Sequence, residues 1–384
     1  MILKDSSPPV SPFRQRKLVS RKSIRDLSVY DGYSWSLGKT REYRIGDLRK
    51  VSHLGEGAFS KVSLVITESK DQLAMKHLDP TKLSTQNAFV DAAVDLAREA
   101  SILSKLDHEN IIRLRGVPST SLSESFAEAE YNKSDSGYFI LLDTVDETLK
   151  SRLSRWRRDL RSSAKGRGKK LKPLKRALSF DAWTKKTNRT SQVDDSKMKD
   201  RMSTAAVGVA RGMQYLHEEG IIMQDLSTSN IGFDQRTGEV RIFDFGMAHK
   251  VKDPSNPLQD KRQEGLVCGT PRYMAPEVMK GAGGSKASDV FSFGVILYEI
   301  CSLQSFFSSD TNLQSFERHL LSGERPLLDR TIACLKTRNL ISSCWATDPK
   351  DRPTFENVVD SLVDILTVDD NDSNLVEENS HNFW

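Results

Sequence analysis

Residues 223–230 read Met-Gln-Asp-Leu-Ser-Thr-Ser-Asn, and residues 244–246 read Asp-Phe-Gly. The pattern places Asp225 five residues before Asn230 and puts a second aspartate, Asp244, at the start of a Phe-Gly turn. A carboxylate such as that of Asp225 can accept a proton from a hydroxyl group. Asn230 and Asp244 offer the hard oxygen ligands that Mg²⁺ takes together with phosphate oxygens and water. The stretch therefore predicts a site that binds a metal-bound nucleotide and activates a hydroxyl.

The composition is that of a folded chain with one strongly basic segment. The 384 residues are 37% hydrophobic and carry a formal net charge of +5. Sixteen Lys or Arg stand against two acids between positions 150 and 189, so the rest of the chain is net acidic. This run of like charges predicts a disordered insertion at about 154–195. The insertion can bind an anionic partner, such as nucleic acid, a membrane surface or an acidic protein, or it can be merely solvated.

The two ends and the cysteines give weaker signals. Residues 1–43 predict a disordered basic tail, and residues 367–384 predict an acidic one. The N-terminus lacks the apolar core of a signal peptide, and no apolar run approaches membrane-spanning length. The four cysteines form no Cys-x-x-Cys pair, which favours reduced thiols that act as small buried hydrophobes. We expect a protein without a transmembrane segment that is cytoplasmic, or nuclear if the basic run is a localisation signal.

A second set of signals lies upstream of the central stretch. Residues 54–62 read Leu-Gly-Glu-Gly-Ala-Phe-Ser-Lys-Val between two strand-like segments. Glycines at these positions let backbone N–H groups approach phosphates, although an ordinary hairpin turn fits the same pattern. A short apolar strand at 73–76 ends in Lys76, and a predicted helix at about 88–106 carries Glu99. Each signal is weak alone, but their order along the chain is informative.

In combination, the motifs resemble those of the eukaryotic-type protein kinase domain. The Gly-x-Gly loop, Lys76, Glu99, the 223–230 stretch, Asp-Phe-Gly and Gly-Thr-Pro-Arg-Tyr-Met-Ala-Pro-Glu at 269–277 follow the family order. The resemblance implies an α+β, bilobal fold over 44–366. The small N-lobe, 44–145, would hold an antiparallel sheet and one key helix, and the larger C-lobe, 146–366, would be mainly helical. Cys-Trp at 344–345 and Arg-Pro at 352–353 are similar to the tyrosine-kinase-like branch.

The resemblance also implies a role for individual residues. Lys76 would contact the ATP phosphates, Glu99 would orient Lys76, and Asp225 would be the catalytic base. Asn230 and Asp244 would hold Mg²⁺. The expected nucleotide-binding set is Leu54, Gly55, Glu56, Gly57, Val62, Ala74, Lys76, Asp143, Val145 and Asn230, of which Asp143 and Val145 would use their backbone in the hinge between the lobes.

Three structural supports follow from the same resemblance. Thr270 would brace Asp225, and the bracing is typical of serine/threonine rather than tyrosine specificity. Asp289 would hold the catalytic loop from below. The glutamate of Ala-Pro-Glu, Glu277, would form a buried ion pair with Arg352.

Four substitutions depart from the family pattern. Gln224 replaces the arginine that grips an activation-loop phosphate, so we predict that no such phosphate is needed. Ser227 replaces a lysine that contacts the transferring phosphate, and Lys61 or a lysine of the insertion could substitute for it. Ser60 replaces the third glycine of the nucleotide loop. Gly232 stands where a larger apolar side chain usually forms the floor of the adenine pocket.

Three functions remain open at this point. The first is a serine/threonine kinase that transfers the γ-phosphate of MgATP to protein substrates in intracellular signalling. The second is a nucleotide-binding pseudokinase scaffold, which the four substitutions favour. The third is a module tethered to nucleic acid by the basic insertion, and it is compatible with either of the others.

Overall fold

The N-terminal part of the chain is a six-stranded sheet. The computed structural model describes residues 40–57, 59–83, 85–121, 124, 138–166, 195–251, 268–307, 312–328 and 331–367. The strands lie in the order β1-β5-β6-β4-β3-β2, and every neighbouring pair is antiparallel except β1 with β5. Their bounds are β1 (Glu42–Tyr43), β2 (Arg49–Glu56), β3 (Ser60–Ile66), β4 (Gln72–Leu78), β5 (Leu114–Pro118) and β6 (Phe139–Leu142).

The two faces of this sheet have different roles. Val62 pairs with Lys76 and Ala74 pairs with Leu142, so these four side chains share one face because side chains alternate along a strand. The opposite face, here called the outer face, carries Lys61 paired with its cross-strand neighbour His77. A small apolar cluster covers the outer face: Tyr43, Leu48, Val65, Leu73, Met75, Phe139 and Leu141.

Strand β1 corrects the predicted N-terminal boundary. The tail was expected to extend to residue 43, but Tyr43 is buried and its strand pairs with β5. Val117 N donates to Arg41 O at 3.0 Å, and Ser119 N donates to Tyr43 O at 2.9 Å. A Cβ at Gly116 would lie 2.5 Å from the Tyr43 ring, so the glycine makes room for the tyrosine. The aromatic ring covers apolar surface that the sheet would otherwise expose.

One helix, α1 (Gln86–Leu103), packs against the sheet. The Thr85 side chain caps it by accepting a hydrogen bond from Ala88 N. Its buried residues recur at helical spacing and form a single stripe: Phe89, Ala93, Leu96, Ala100 and Leu103. Glu99 is adjacent to this stripe and is only 2% exposed, so the helix carries a carboxylate into the protein interior.

The C-terminal part is mainly helical and surrounds α5. Its helices are α2 (Leu149–Gly166), α3 (Val207–Glu218), α4 (Pro276–Met279), α5 (Lys286–Ser302), α6 (Leu313–Leu321), α7 (Leu335–Cys344) and α8 (Phe355–Thr367). Five short strands lie beneath the sheet-bearing part: β7 (Glu147–Thr148), β8 (Ile221–Ile222), β9 (Ile231–Phe233), β10 (Val240–Ile242) and β11 (His249–Lys250). Residues 288–301 of α5 are all buried, so this helix is the centre of the lobe. The α+β, bilobal prediction is confirmed.

Helix α2 corrects the predicted insertion. Disorder was expected from residue 154, but the helix continues to Gly166 because Leu149, Leu153 and Trp156 place an apolar stripe against the core. Residues 195–201 are also helical and lead through a π-helical turn at Met202–Ala206 into α3. The remaining insertion, 167–194, lies outside the described residues, as do 1–39 and the acidic tail from 368. Across the part of the chain that is described, no helix is long and apolar enough to cross a bilayer.

Candidate active site

Residues 223–230, here called the catalytic loop, include Asp225, which is fixed by contacts on both of its carboxylate oxygens. Thr270 donates to Asp225 Oδ1 from its backbone N at 2.7 Å and from its hydroxyl at 2.6 Å. Asn230 Nδ2 donates to Asp225 Oδ2 at 3.0 Å and to Asp225 O at 2.8 Å. The predicted bracing by Thr270 is therefore present. Asp225 is 4% exposed, and its partners hold it in one orientation.

A second aspartate supports the loop from below, as expected. Asp289 of α5 accepts hydrogen bonds from Met223 N at 2.9 Å and Gln224 N at 3.0 Å. His217 Nε2 lies 3.0 Å from the same carboxylate. Because Asp289 is fully buried in the central helix, it links the position of Asp225 to the core of the lobe.

Lys76 joins the sheet, α1 and the Asp-Phe-Gly turn. Its Nζ lies 2.6 Å from Glu99 Oε2 and 2.9 Å from Asp244 Oδ1. Phe245 N also donates to Glu99, at 3.2 Å. Burial alone would lower the pKa of Lys76, but Asp244 and Glu99 outweigh it and raise the pKa above its ordinary value. Lys76 is therefore a fixed positive charge that can pair with phosphate.

Asn230 and Asp244 fit the predicted magnesium ligands by the chemistry of their donor atoms. The amide nitrogen of Asn230 is used by Asp225, which leaves the amide oxygen as its atom for a cation. Asp244 directs Oδ1 to Lys76, and its side chain is 32% exposed. Its backbone has φ 64° and ψ 68°, a left-handed conformation that turns the chain at this point. Asp244 thus presents a carboxylate beside Lys76, and its neighbour Phe243 is joined to Asn230 by a hydrogen bond from Phe243 N to Asn230 O at 2.9 Å.

Residues 54–62, here called the glycine loop, are largely exposed, and the loop is held mainly by contacts between its own residues. Gly57 N donates to Ser60 O at 2.7 Å, and a Cβ at Gly57 would lie 2.6 Å from Ser60 Oγ. Ser60 therefore occupies space that only a glycine at 57 leaves open. Lys82 anchors the loop from outside by donating to Glu56 Oε2 at 2.9 Å and to Gly57 O at 3.1 Å.

Lys61 does not point toward the site. It lies on the outer face of the sheet, opposite Lys76, and its Nζ is 3.1 Å from the buried carboxylate of Asp79. This geometry argues against the hypothesis that Lys61 replaces the missing lysine of the catalytic loop. The alternative, a lysine of the insertion at 167–194, lies outside the described residues.

Ser227 is sealed inside the protein. Its side chain is 0% exposed, and its Oγ has no hydrogen-bond partner. The next residue, Thr228, is 2.7 Å from Tyr273 OH, which donates to Glu299 Oε2 at 3.0 Å. Burial raises the pKa of the Tyr273 hydroxyl, so it stays a neutral donor. At this point the catalytic loop packs on the core, and Ser227 exposes no hydroxyl.

Gln224 occupies its position with a new pair of contacts. When its side-chain amide is oriented to satisfy both neighbours, the nitrogen donates to Met247 O at 2.9 Å and the oxygen accepts from Gly284 N at 3.2 Å. A Cβ at Gly284 would lie 2.4 Å from Gln224 Cγ, so that glycine leaves room for the side chain. The amide connects the catalytic loop to the residues after Asp-Phe-Gly and to the start of α5. The predicted independence from phosphorylation concerns the segment between Gly246 and Thr270, whose hydroxyl-bearing residue, Ser255, lies outside the described residues.

Sequence reasoning missed three participants in this arrangement. Neither Tyr273 nor Glu299 was expected to support the catalytic loop, because a buried tyrosine and glutamate far apart in sequence give no local signal. The contacts of Gln224 were also not foreseen. The glycine at 284 was the available clue, since a glycine before a capped helix can mark a close approach.

Comparison with known proteins agrees with this geometry. The family model described as protein tyrosine and serine/threonine kinase matches residues 48–362. The chain belongs to the protein kinase family. The resemblance inferred from the motifs is therefore confirmed.

Individual relatives match the kinase chain over different lengths. It is 34% identical over 179 residues to a dual specificity protein kinase, shkC, of Dictyostelium discoideum, covering 46% of this chain and 33% of that protein. It is 32% identical over 161 residues to the serine/threonine-protein kinase STY17 of Arabidopsis thaliana, covering 42% and 27%. A putative insulin-like peptide receptor of Hydra vulgaris is 26% identical over 346 residues, covering 90% and 19%. The matches thus span a third or less of these relatives.

Proposed function

We propose that the protein is an active serine/threonine kinase that transfers the γ-phosphate of ATP to protein hydroxyls in intracellular signalling. The observation that carries this proposal is that hydrogen bonds from Thr270 and Asn230 fix both carboxylate oxygens of Asp225. Phosphoryl transfer asks little covalent chemistry of a protein, so catalysis depends mainly on positioning and electrostatic stabilisation. MgATP, when bound, supplies the phosphoryl group.

The described residues divide the work in the following way. Asp225 accepts the proton of the substrate hydroxyl, because Thr270 and Asn230 hold its carboxylate in one orientation. Lys76 pairs with phosphate oxygens and is itself held by Glu99. Asn230 and Asp244 hold the magnesium ion. The remaining nucleotide contacts come from the glycine loop and from the hinge backbone at Asp143 and Val145.

Serine/threonine specificity is supported by Thr270. Its hydroxyl donates to Asp225 within Gly-Thr-Pro, so it belongs to the same rigid unit as the catalytic base. The relatives include a serine/threonine kinase and a dual specificity kinase, which is compatible with this assignment. A cytoplasmic or nuclear location belongs to the same proposal and is compatible with the reduced, buried thiols of Cys301 and Cys344.

A pseudokinase scaffold is the second candidate, and Ser227 favours it. The buried Ser227 hydroxyl cannot stabilise charge on a transferring phosphate. The loss of one preorganised donor typically slows turnover by ~10²–10³-fold. Kinases usually turn over at ~1–100 s⁻¹, so such a loss would leave a slow but measurable enzyme. We therefore expect slow catalysis and not its absence.

Transfer of labelled phosphate tests the two candidates directly. The full chain is incubated with ATP, Mg²⁺ and a generic basic protein, in parallel with Asp225→Asn. The kinase proposal expects incorporation on serine or threonine that falls by ~10²–10⁴-fold in the variant. A folded wild type that binds ATP but incorporates no more phosphate than Asp225→Asn would contradict it and favour the scaffold.

An anionic partner for the basic segment is a separate proposal. It is supported by the charge run between 150 and 189, part of which forms the basic exposed face of α2. Deletion of 167–194 should reduce salt-sensitive retention on heparin if the proposal is correct. Unchanged retention would contradict it.

A further inference from the structure

The floor of the adenine pocket is the least expected part of the site. Gly232 is the middle residue of β9, and its neighbours Ile231 and Phe233 are both buried. Because side chains alternate along a strand, a side chain at 232 would point to the opposite face, toward the hinge. In the family a larger apolar side chain occupies this position. With glycine at position 232, the volume of that side chain is either empty or filled by another residue.

Val145 fills that space from the other side. A Cβ built on Gly232 would lie 2.7 Å from Val145 Cβ and 2.8 Å from both of its methyl carbons. Separations below 3.0 Å are incompatible with ordinary packing, so the two positions cannot both carry a side chain without a shift. Val145 is a partly buried residue that packs against the main core. The Val145 side chain therefore occupies the volume that a side chain at position 232 would fill.

The hinge backbone is tied to β9 in a way that maintains this exchange. Asp146 N, directly after Val145, donates to Phe233 O at 2.8 Å. Glu147 and Thr148 then pair with Phe233 and Gly232 in an antiparallel ladder. These bonds hold the hinge against the strand, so Val145 cannot move away to accommodate a side chain at 232 without breaking them.

We propose that Val145 and Gly232 are a complementary pair in which the hinge residue, rather than the strand residue, forms the apolar floor beneath the adenine base. Both positions act in nucleotide recognition as shape-determining residues. The inference rests on the proposed function, since it assumes that adenine binds between Ala74 of β4 and this floor. It adds that Val145 contributes its side chain in addition to its backbone.

The pair predicts a reciprocal pattern in four variants of the full chain. Adenosine and ATP affinities are measured by titration calorimetry for wild type, Gly232→Val, Val145→Gly and the double variant that exchanges the two residues. We expect Gly232→Val to weaken both ligands by about ten- to a hundredfold through overpacking, and Val145→Gly to weaken them because the floor is lost. The exchange should restore most of the affinity, because the packed volume is conserved.

Gly46→Ala is the matched control, because its added Cβ meets no atom within 4 Å and the residue lies outside the pocket. It should leave adenosine affinity unchanged. Equal affinity of Gly232→Val and wild type would overturn the inference, and so would a double variant no better than the weaker single. If either single fails to fold, thermal unfolding of the double variant decides: an exchange that does not restore folding also overturns the pair. A folded wild type without adenosine binding would overturn the proposed function as well, which distinguishes the two failures.

Discussion

The catalytic loop and the glycine loop are held in position by different kinds of contact. The catalytic loop is buried, and Asn230 and Thr270 both donate short hydrogen bonds to Asp225. Asp289 holds the same loop by accepting from the backbone N of Met223 and Gln224. The glycine loop is largely exposed, and its external anchors are two hydrogen bonds from Lys82 and one from Asp79 N to Phe59 O at 2.9 Å. Buried, well-satisfied polar networks are costly to break, whereas exposed ion pairs contribute little.

The contrast explains how each loop accommodates its departures from the family. In the buried loop, Gln224 is accommodated through a matching glycine nearby, because Gly284 leaves room for its side chain. In the exposed loop, Ser60 needs only the neighbouring Gly57. We therefore expect variants of the buried network to have large effects and variants of the exposed loop to have small ones.

The largest expected effect is at the buried ion pair beneath the catalytic loop. Glu277 accepts two hydrogen bonds from Arg352, at 2.6 and 2.8 Å, and the Arg352 side chain is fully buried. Glu277→Gln would leave the arginine charge uncompensated and should lower the free energy of unfolding by ~3–5 kcal/mol. Chemical denaturation measures this change.

An exposed ion pair in the same lobe is the control for that measurement. Lys336 and Asp364 are 2.8 Å apart, but both side chains are more than half exposed. Lys336→Ala should change the free energy of unfolding by no more than ~1 kcal/mol. Equal losses at the two pairs would contradict the distinction between buried and exposed contacts.

Much of this arrangement could be predicted from the sequence because the motifs are local and keep their order. The fold class and the pairing of Lys76 with Glu99 followed from such motifs, and the structure contains both. The predicted start of the insertion at about residue 154 was wrong, because the charge run concealed the helix that Leu149, Leu153 and Trp156 hold against the core. The bonds of Tyr273 and the packing of Val145 on Gly232 could not be predicted, because they join residues far apart in sequence through shape alone.

A gain-of-charge variant at position 227 tests whether the absent lysine of the catalytic loop limits turnover. Ser227→Lys should raise turnover by ~10²–10³-fold if the absent lysine limits phosphoryl transfer, and thermal unfolding of the variant shows whether this fully buried position accepts the longer side chain. Ser227→Met, which has a long side chain without charge, should give no increase. Steady-state phosphorylation of a basic protein measures both variants. A lysine variant no faster than the methionine variant would show that another cation already serves the phosphate.

The smallest expected effect is at the external anchor of the glycine loop. Lys82→Ala removes its bonds to Glu56 and Gly57 and should weaken MgATP binding by no more than about threefold, because the ion pair is exposed. Adenosine binding should not change, since the loop covers phosphates. Lys336→Ala is a matched control, because its ion pair with Asp364 is also exposed but joins helices α7 and α8 of the other lobe, and it should leave both affinities and turnover unchanged. A large loss with Lys82→Ala would contradict our description of a weakly anchored loop.

The identity of the acceptor tests the central claim most directly. The full chain is incubated with MgATP and a peptide mixture that offers serine, threonine and tyrosine at one position in equal amounts, and each phosphorylated product is quantified by mass spectrometry. An active serine/threonine kinase built around Asp225 should modify serine and threonine peptides, and Asp225→Asn should lose that activity. Phosphate on tyrosine peptides alone, or equal products from wild type and Asp225→Asn, would contradict the account.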